Sequence, residues 1–315
     1  MLIDPKHLQI LSAVVQSGSL SEGARALGRS QPSLSRIIAD LETRLGEPLF
    51  QKGRRPLQPT ELCERLAAEG SIVTHATTRA QEIAAQFRSG HAGSIRVAGT
   101  PIFMDGVIST MIAGFQDANP DLRVDQSYGY PNDLIAAIRS GTTDIGICPL
   151  EHCDVPDGLM FQSILKGRNV IACGATHPLA RKTSFSLTDI SVYPWITQPA
   201  GSPLFQDLRD VLNSIGVTDF KVSYSGGSLS SIVNVLAGSK ALTVLPFSVV
   251  YMLPKHTLHA LPIRIEHPRR ELGLLWNTET GHSPATRRFV QYLSKQFDGL
   301  AQAIVERQRE QVWRE

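Results

Sequence analysis

The chain has 315 residues and a formal net charge of +2. That length accommodates two or three domains with cores of their own, and that charge excludes a broadly basic coat for nucleic acid, so any footprint on a polyanion must be local. Four cysteines are too few for a disulfide framework, no apolar run is long enough to span a bilayer, and residues 1–7 lack a charged segment followed by an apolar core, so a cytoplasmic protein with reduced thiols, no secretion signal and no membrane partner is expected.

Asp4 and Pro5 read as the cap and first-turn proline of an opening helix with Leu8, Leu11, Val14 and Val15 on its buried face, stopped by Gly18. Leu20, Ala24 and Leu27 then recur at helical spacing until Gly28 breaks the pattern. Ser30 is a good cap for the next helix, with Pro32 in its first turn. Leu34, Ile37, Ile38, Leu41 and Leu45 form one apolar stripe, and Gly46 suits a left-handed ending. Two short helices joined by a glycine turn form a helix-turn-helix, backed by the opening helix, and the second of the pair would enter a DNA major groove. Its first turns carry Gln31, Ser33, Ser35 and Arg36. Gln pairs bidentately with adenine, Arg with guanine, and Ser with base edges or phosphate. Ser19, Ser21, Ser30 and Pro32 complete the candidate DNA-facing set on this element.

Leu49-Phe50 and Leu57 read as two short strands around a turn at Gly53. Such a hairpin is a wing, and its Lys52, Arg54 and Arg55 would neutralise flanking phosphates. Thr60 caps a long helix reaching about residue 88. Leu66, Val73, Ala80 and Phe87 repeat every seven residues, as do Leu62, Glu69, Ala76 and Ile83, a heptad seam interrupted by one charge. About 29 residues span roughly 43 Å, and Gly70 in the interior costs on the order of 1 kcal/mol. The seam favours a dimer, because a lone helix of this length has nothing else on which to bury its stripe.

These residues resemble the LysR-type transcriptional regulators: Gly18-Ser19-Leu20, Leu27, the run Ser30-Gln31-Pro32-Ser33-Leu34-Ser35, Leu41-Glu42, Leu45-Gly46, Leu49-Phe50 and Thr60 stand in that family's order and spacing. The match is dense over the first sixty residues and follows layout beyond them. Three positions depart. Lys52 stands where the wing strand usually carries Arg, Gly23-Ala24 replaces paired alanines, and Cys63 replaces a glycine. Lys52 keeps the charge without the planar fork, Gly23 is expected to loosen its helix, and Cys63 puts the start of the linker in question. The resemblance implies an α+β multidomain chain: a winged helix-turn-helix at 1–60, a linker and dimerisation helix at 61–90, and an effector-binding domain at 91–315 built like a periplasmic binding protein. It implies double-stranded DNA, a small-molecule effector and further copies of the chain as partners. The copies would form a homodimer through the linker helix and a homotetramer through separate pairing of the α/β lobes. Contact with RNA polymerase is expected as well.

From Gly93 the periodicity alternates strand and helix, which argues for an α/β domain with a largely parallel sheet. Strands are predicted at 94–99, 122–128, 144–148, 169–173, 193–197, 221–224, 241–245 and 272–276. Helices fall between them and from Pro284 on, with fraying from about Glu306. Two lobes fit, one of about 91–163 and 265–305 and the other of about 164–264. Ligands bind such sheets beyond the carboxyl ends of the strands. Thr100, Ser202 and Ser228 each precede a helix, whose free N–H groups suit a carboxylate or another polar oxygen. Thr100, Pro101, Phe103, Tyr130, Cys148, Pro149, Thr197, Gln198, Ser202, Ser228 and Phe247 form the candidate effector set. The resembling family places a hydroxyl residue at the position of Thr100. Trp195 is better read as core. The stretch from Pro194-Trp195 to Ser202-Pro203 is similar to the branch that includes galactose-binding-protein regulators, which implies a sugar or sugar acid, with an aromatic or amino acid as the alternative.

No metal site, cofactor or catalytic residue is expected. Cys148, His152 and Cys153 have no usual zinc spacing, and there is no Gly-x-Ser-x-Gly, phosphate loop or paired-His motif. Two readings stay open: a ligand-responsive DNA-binding transcriptional regulator, and a ligand-binding or enzymatic α/β protein whose N-terminal helices serve only assembly. The wing and the heptad favour the first.

Overall fold

The computed structural model describes residues 3–51, 56–89, 93–182, 184–254, 256–278 and 282–312. Lys52, Arg54 and Arg55 of the predicted wing lie outside them, as do the side chains of Ile83 and Phe87. The chain forms two compact units, one of residues 1–91 with 139–142 and one of residues 92–138 with 143–315.

In the first unit, α1 (Pro5–Ser17) begins at Asp4, whose carboxylate accepts from the Lys6 N–H at 2.9 Å. α2 (Leu20–Ala26) and α3 (Gln31–Leu45) follow, and Gly28 (φ 61°) and Gly46 (φ 73°) take the left-handed turns that end them cheaply. Ile10, Leu11 and Val14 of α1 meet Ala24, Leu34, Ile38 and Leu41 in one buried cluster with Leu49. Ser30 opens α3 without the side-chain bond expected of it; only its carbonyl is used, by the Leu34 N–H at 3.1 Å. Gly23 proves structural rather than loosening. A Cβ there would lie 2.8 Å from Val14 Cγ2, so α1 and α2 cross too closely for the usual alanine. Past α3, Phe50 bridges Pro59 in antiparallel fashion and the Gln51 N–H donates to the Gln58 carbonyl at 2.9 Å, giving the base of the expected hairpin.

α4 (Glu61–Ser89) starts where the sequence placed it. The Cys63 N–H donates to Thr60 Oγ1 at 3.3 Å, and Thr60 Oγ1 itself donates to the Pro48 carbonyl at 3.0 Å. Cys63 therefore leaves the helix start unaltered. The expectation that this helix has nothing of its own chain to bury its stripe on is corrected. Cys63, Ala67 and Gly70 form a buried edge, and a Cβ on Gly70 would stand 1.9 Å from the Leu8 carbonyl oxygen of α1. Glycine is required because two backbones touch. Leu66 and Val73 of the predicted seam lie half-buried beside that edge, and Glu69, Ala76 and Ala80 are exposed.

The second unit holds two five-stranded sheets. The first has the order β2-β1-β3-β10-β4, from β1 (Gly93–Gly99), β2 (Leu122–Tyr128), β3 (Ile145–Leu150), β4 (Leu159–Leu165) and β10 (Glu271–Asn277). The second has the order β7-β6-β8-β5-β9, from β5 (Asn169–Gly174), β6 (Trp195–Thr197), β7 (Val222–Ser225), β8 (Leu242–Pro246) and β9 (Leu258–Ala260). The expected largely parallel sheet is corrected to two mixed ones. β1 is parallel to β2 and β3, and β6 to β7 and β8. β10 runs antiparallel to β3 and β4, and β5 antiparallel to β8 and β9. The cause is the connectivity: the chain crosses between lobes at 166–168 and again at 261–270, and each crossing delivers a strand against the run of its new sheet.

Helices cover these sheets. Thr100 leads into α5 (Pro101–Phe103), which continues through a π-helical stretch (Met104–Ile108) into α6 (Ser109–Ala118). α7 (Pro131–Arg139), α8 (Leu187–Ser191), α9 (Pro203–Ser214), α10 (Leu229–Ala237) and α11 (Phe247–Met252) follow. α12 (Pro284–Val312) stays helical past Glu306, where fraying was expected. Phe115 of α6 meets Phe289 of α12 edge-on with centroids 5.0 Å apart. That core runs on into the second lobe through Ile196, Leu229 and Phe247. Gly106 sits at the junction: a Cβ on it would lie 2.8 Å from Val249 Cγ1 and 2.9 Å from Leu229 Cδ2. No helix among the described residues is long and apolar enough to cross a membrane.

Candidate DNA-reading helix and effector cleft

On α3 the apolar stripe of Leu34, Ile38 and Leu41 faces the core, which turns Gln31, Pro32, Ser33, Ser35 and Arg36 outward, all exposed. Ser21, exposed at the start of α2, donates from its hydroxyl to Gln31 Oε1 at 3.1 Å. That bond fixes the amide of Gln31 across the turn and leaves its NH2 free to donate to a base edge. Ser19, at the entry of α2, is half-buried and makes no cap bond, and Ser30 is exposed. Glu42 explains its own place in the Leu41-Glu42 pair. Its carboxylate accepts from the backbone N–H groups of Leu49 at 2.7 Å and Phe50 at 3.4 Å, tying the base of the hairpin to α3. Arg29 is exposed in the turn itself, a lone cation that no spacing rule singles out.

The strand ends of the second unit carry the other candidates. Thr100 is 1% exposed at the end of β1; its N–H donates to the Ile147 carbonyl at 3.0 Å, but its Oγ1 is buried without a partner. Thr100 therefore makes no hydroxyl cap on the helix it precedes, and the hydroxyl is left over. Gln198, 3% exposed beyond β6, leaves Nε2 buried and unpartnered in the same way, and Thr197 beside it is buried. Ser202 and Ser228 do cap. Ser202 Oγ accepts from the Leu204 N–H at 3.3 Å at the start of α9, and Ser228 Oγ accepts from the Ser231 N–H at 3.2 Å at the start of α10. Tyr130 of the first lobe reaches the second. Its hydroxyl would stand 3.3 Å from a Cβ on Gly227, and burial followed by the nearby Asp133 carboxylate pushes its phenol up. Tyr130, Pro149 and Ser202 share a cavity of about 520 Å³.

Asp105 was not foreseen. From the π-helical stretch of lobe I, one of its oxygens accepts from the Leu229 N–H at 3.2 Å, the first residue of α10 in lobe II, and the other from the Tyr128 hydroxyl at 2.7 Å. A carboxylate at a helix N-terminus is favourable, and here it joins the lobes. Pairing with Asp105 pushes the Tyr128 phenol up. The signal lay only in topology: position 105 meets position 229 because the π turn aims it there.

Three candidates are placed elsewhere. Cys148 is a core residue, fully buried among Ala98, Leu134, Ile138 and Leu275, and burial pushes its thiol up to about 12; strand alternation turns it away from the cleft. Phe103 and Phe247 join Pro149 in lining a larger cavity of about 770 Å³ against the lobe crossings, and Pro101 is half-buried ahead of them. Trp195 is core, as read. Cys153 is exposed, and all four cysteines are free. Among the described residues no group of His, Cys, Asp and Glu is arranged to hold a metal ion.

A family model described as "Bacterial regulatory helix-turn-helix protein, lysR family" matches residues 5–64, and one described as "LysR substrate binding domain" matches residues 88–298. The chain belongs to the LysR family. This LysR-family protein is a ligand-responsive, DNA-binding transcriptional regulator with an effector-binding domain. It is 25% identical over 297 residues to the uncharacterized HTH-type transcriptional regulator YnfL of Escherichia coli K12, covering 92% of this chain and 97% of that one. It is 23% identical over 285 residues to the regulator GbpR of Azospirillum brasilense, covering 90% and 83%. Among solved structures it resembles full-length CbnR complexed with its target DNA, with a TM-score of 0.66 at 15% identity over 93% of this chain and 99% of that one. A full-length OxyR variant from Pseudomonas aeruginosa gives 0.63 at 19% identity over 94% and 95%. These two likenesses are of fold.

Proposed function

We propose that this LysR-family regulator reads its operator with Gln31, Ser33 and Arg36 at base edges. Ser19, Ser21, Ser30, Pro32, Ser35 and the wing cations Lys52, Arg54 and Arg55 lie along the flanking backbone. A small polar or acidic metabolite, of the sugar-acid kind, binds at the strand ends between the lobes. The observation that carries the cleft is the pair of buried, unpartnered groups at Thr100 Oγ1 and Gln198 Nε2. Each buried orphan costs about 1–3 kcal/mol, and ligand oxygens accepting from the amide and from the hydroxyl would satisfy them. Tyr130 and Ser202 supply the rim. α4 pairs two chains through the seam of Leu66 and Val73, the effector domains pair separately into a tetramer, and the bound assembly contacts RNA polymerase. A metabolite acts by preferring one arrangement of the lobes, since only differential affinity shifts an equilibrium.

The test is a gel shift on DNA upstream of the protein's own gene at moderate salt, with galactonate, gluconate and benzoate added in turn. Thr100→Val is expected to keep DNA affinity and lose the response to whichever acid changes the wild-type complex. A variant that responds like wild type moves the effector site away from Thr100.

A further inference from the structure

Gln31 opens α3, and Ser21 stands in the first turn of α2, on the other side of the Gly28 turn. Both are exposed, yet they meet across ten residues of chain: Ser21 Oγ donates to Gln31 Oε1 at 3.1 Å. Glu22, the residue after Ser21 and a stronger acceptor for its proton, is already taken. Arg25 Nη1 donates to both Glu22 oxygens, at 2.8 and 2.7 Å. The Ser21 proton therefore goes to the amide of Gln31. Pro32, next in the chain, holds its own φ fixed and stiffens the backbone that carries that amide.

A carboxamide has two unlike ends, an oxygen that accepts and an NH2 that donates twice. A bidentate pair with adenine needs both together, the NH2 on N7 and the oxygen on the N6 amino group. With Oε1 drawn back to Ser21, Gln31 presents its NH2 end alone. Adenine then offers N7 beside an amino group that opposes a second donor. Cytosine offers only a donor, and thymine one acceptor beside a methyl group. Guanine alone offers two acceptors, N7 and O6, and no donor. Holding the amide also removes rotamers that a free glutamine would have to give up on binding.

We infer that Ser21 is a specificity-determining positioning residue: by holding the Gln31 oxygen, it makes Gln31 read guanine in place of adenine. The inference rests on the placing of Gln31 at a base edge proposed above. Ser21 touches no base; from beside the flanking backbone it acts through Gln31.

The test starts from a randomised duplex library. Full-length protein selects bound duplexes, and sequencing gives the base frequencies at each position. The position that loses its preference in Gln31→Ala is the one Gln31 reads. There the wild type is expected to favour a G·C pair over A·T several-fold. Ser21→Ala, which frees the amide, should bring A·T up to parity or above at that position alone. Ser21→Thr, which keeps a hydroxyl, should select as the wild type does. Gln31→Glu keeps an oxygen for Ser21 and turns the other end into an acceptor, so it should put cytosine where guanine stood. Each result is a ratio of bases, which a general loss of affinity or stability does not move. An A·T pair favoured by the wild type at that position overturns the inference, and so does a Ser21→Ala profile identical to that of the wild type. If Gln31→Ala changes no position, Gln31 reads no base, and its placing at a base edge falls together with the inference.

Discussion

Replacing Gly70 with alanine sets two physical effects against each other. In an exposed helix the change would stabilise by about 1 kcal/mol, because glycine is the poorer helix former. Here the new Cβ would stand 1.9 Å from the Leu8 carbonyl oxygen, where a carbon and an oxygen normally rest about 3.3–3.6 Å apart. α1 and α4 would have to separate by about 1.5 Å, loosening the buried contacts of Cys63 and Ala67. Overpacking of this kind costs about 1–3 kcal/mol, and a clash with backbone belongs at the upper end, so the net loss is about 2 kcal/mol. Amide hydrogen exchange followed by mass spectrometry reads it directly: peptides covering α1 and the first half of α4 should exchange about 30-fold faster, with the effector domain unaffected. Unchanged or slower exchange at α1 would mean that the two helices do not meet at this glycine.

Arg36→Ala should cost about 1–3 kcal/mol on the specific operator and little on random DNA, measured by fluorescence anisotropy; equal losses would make Arg36 a phosphate contact. Leu66→Glu with Val73→Glu should lower the mass seen by light scattering and weaken binding to a palindromic site, since it sets unpaired charges in the seam; an unchanged mass removes α4 as the pairing element. Iodoacetamide at pH 8 should label Cys153 alone in the folded chain, because burial pushes the thiols of Cys63, Cys148 and Cys173 up to about 12 and leaves about one thiolate in ten thousand. Two labels per native chain would contradict that burial.

The N-terminal helices were legible because local chemistry decides them. Asp4-Pro5, Gly28, Gly46 and the Leu34–Ile38–Leu41 stripe act within a few residues of themselves, and the boundaries follow. The long α4 was legible in length and not in packing, since its partner is the Leu8 backbone, sixty residues away and without a side-chain signature. Mixed sheets were missed for a related reason: β9 is three residues long, β4 exposes Met160, and strand direction depends on where a crossing delivers the chain. In the cleft, Thr100 and Ser202 follow from sitting before helices. Cys148 does not belong there, because a run buried on both faces, as β3 is, hides which side chains point which way. Asp105 was invisible in sequence because it is defined by a partner more than sixty positions away.

The contact between Asp105 and the first N–H of α10 bears on how sharply this molecule can respond. The cleft cannot widen there by small degrees: either the carboxylate caps α10, or water takes its place at both ends. Such an exchange at a charged acceptor is worth about 1.5–3 kcal/mol net, so this one bond biases the open and closed populations by a factor of about ten to somewhat over a hundred. A metabolite present at ten to a hundred times its Kd for the favoured form supplies about 1.4–2.7 kcal/mol, the same size. The latch thus places the threshold near ordinary occupancy, and its strength, set by one aspartate, tunes the concentration at which the regulator changes state.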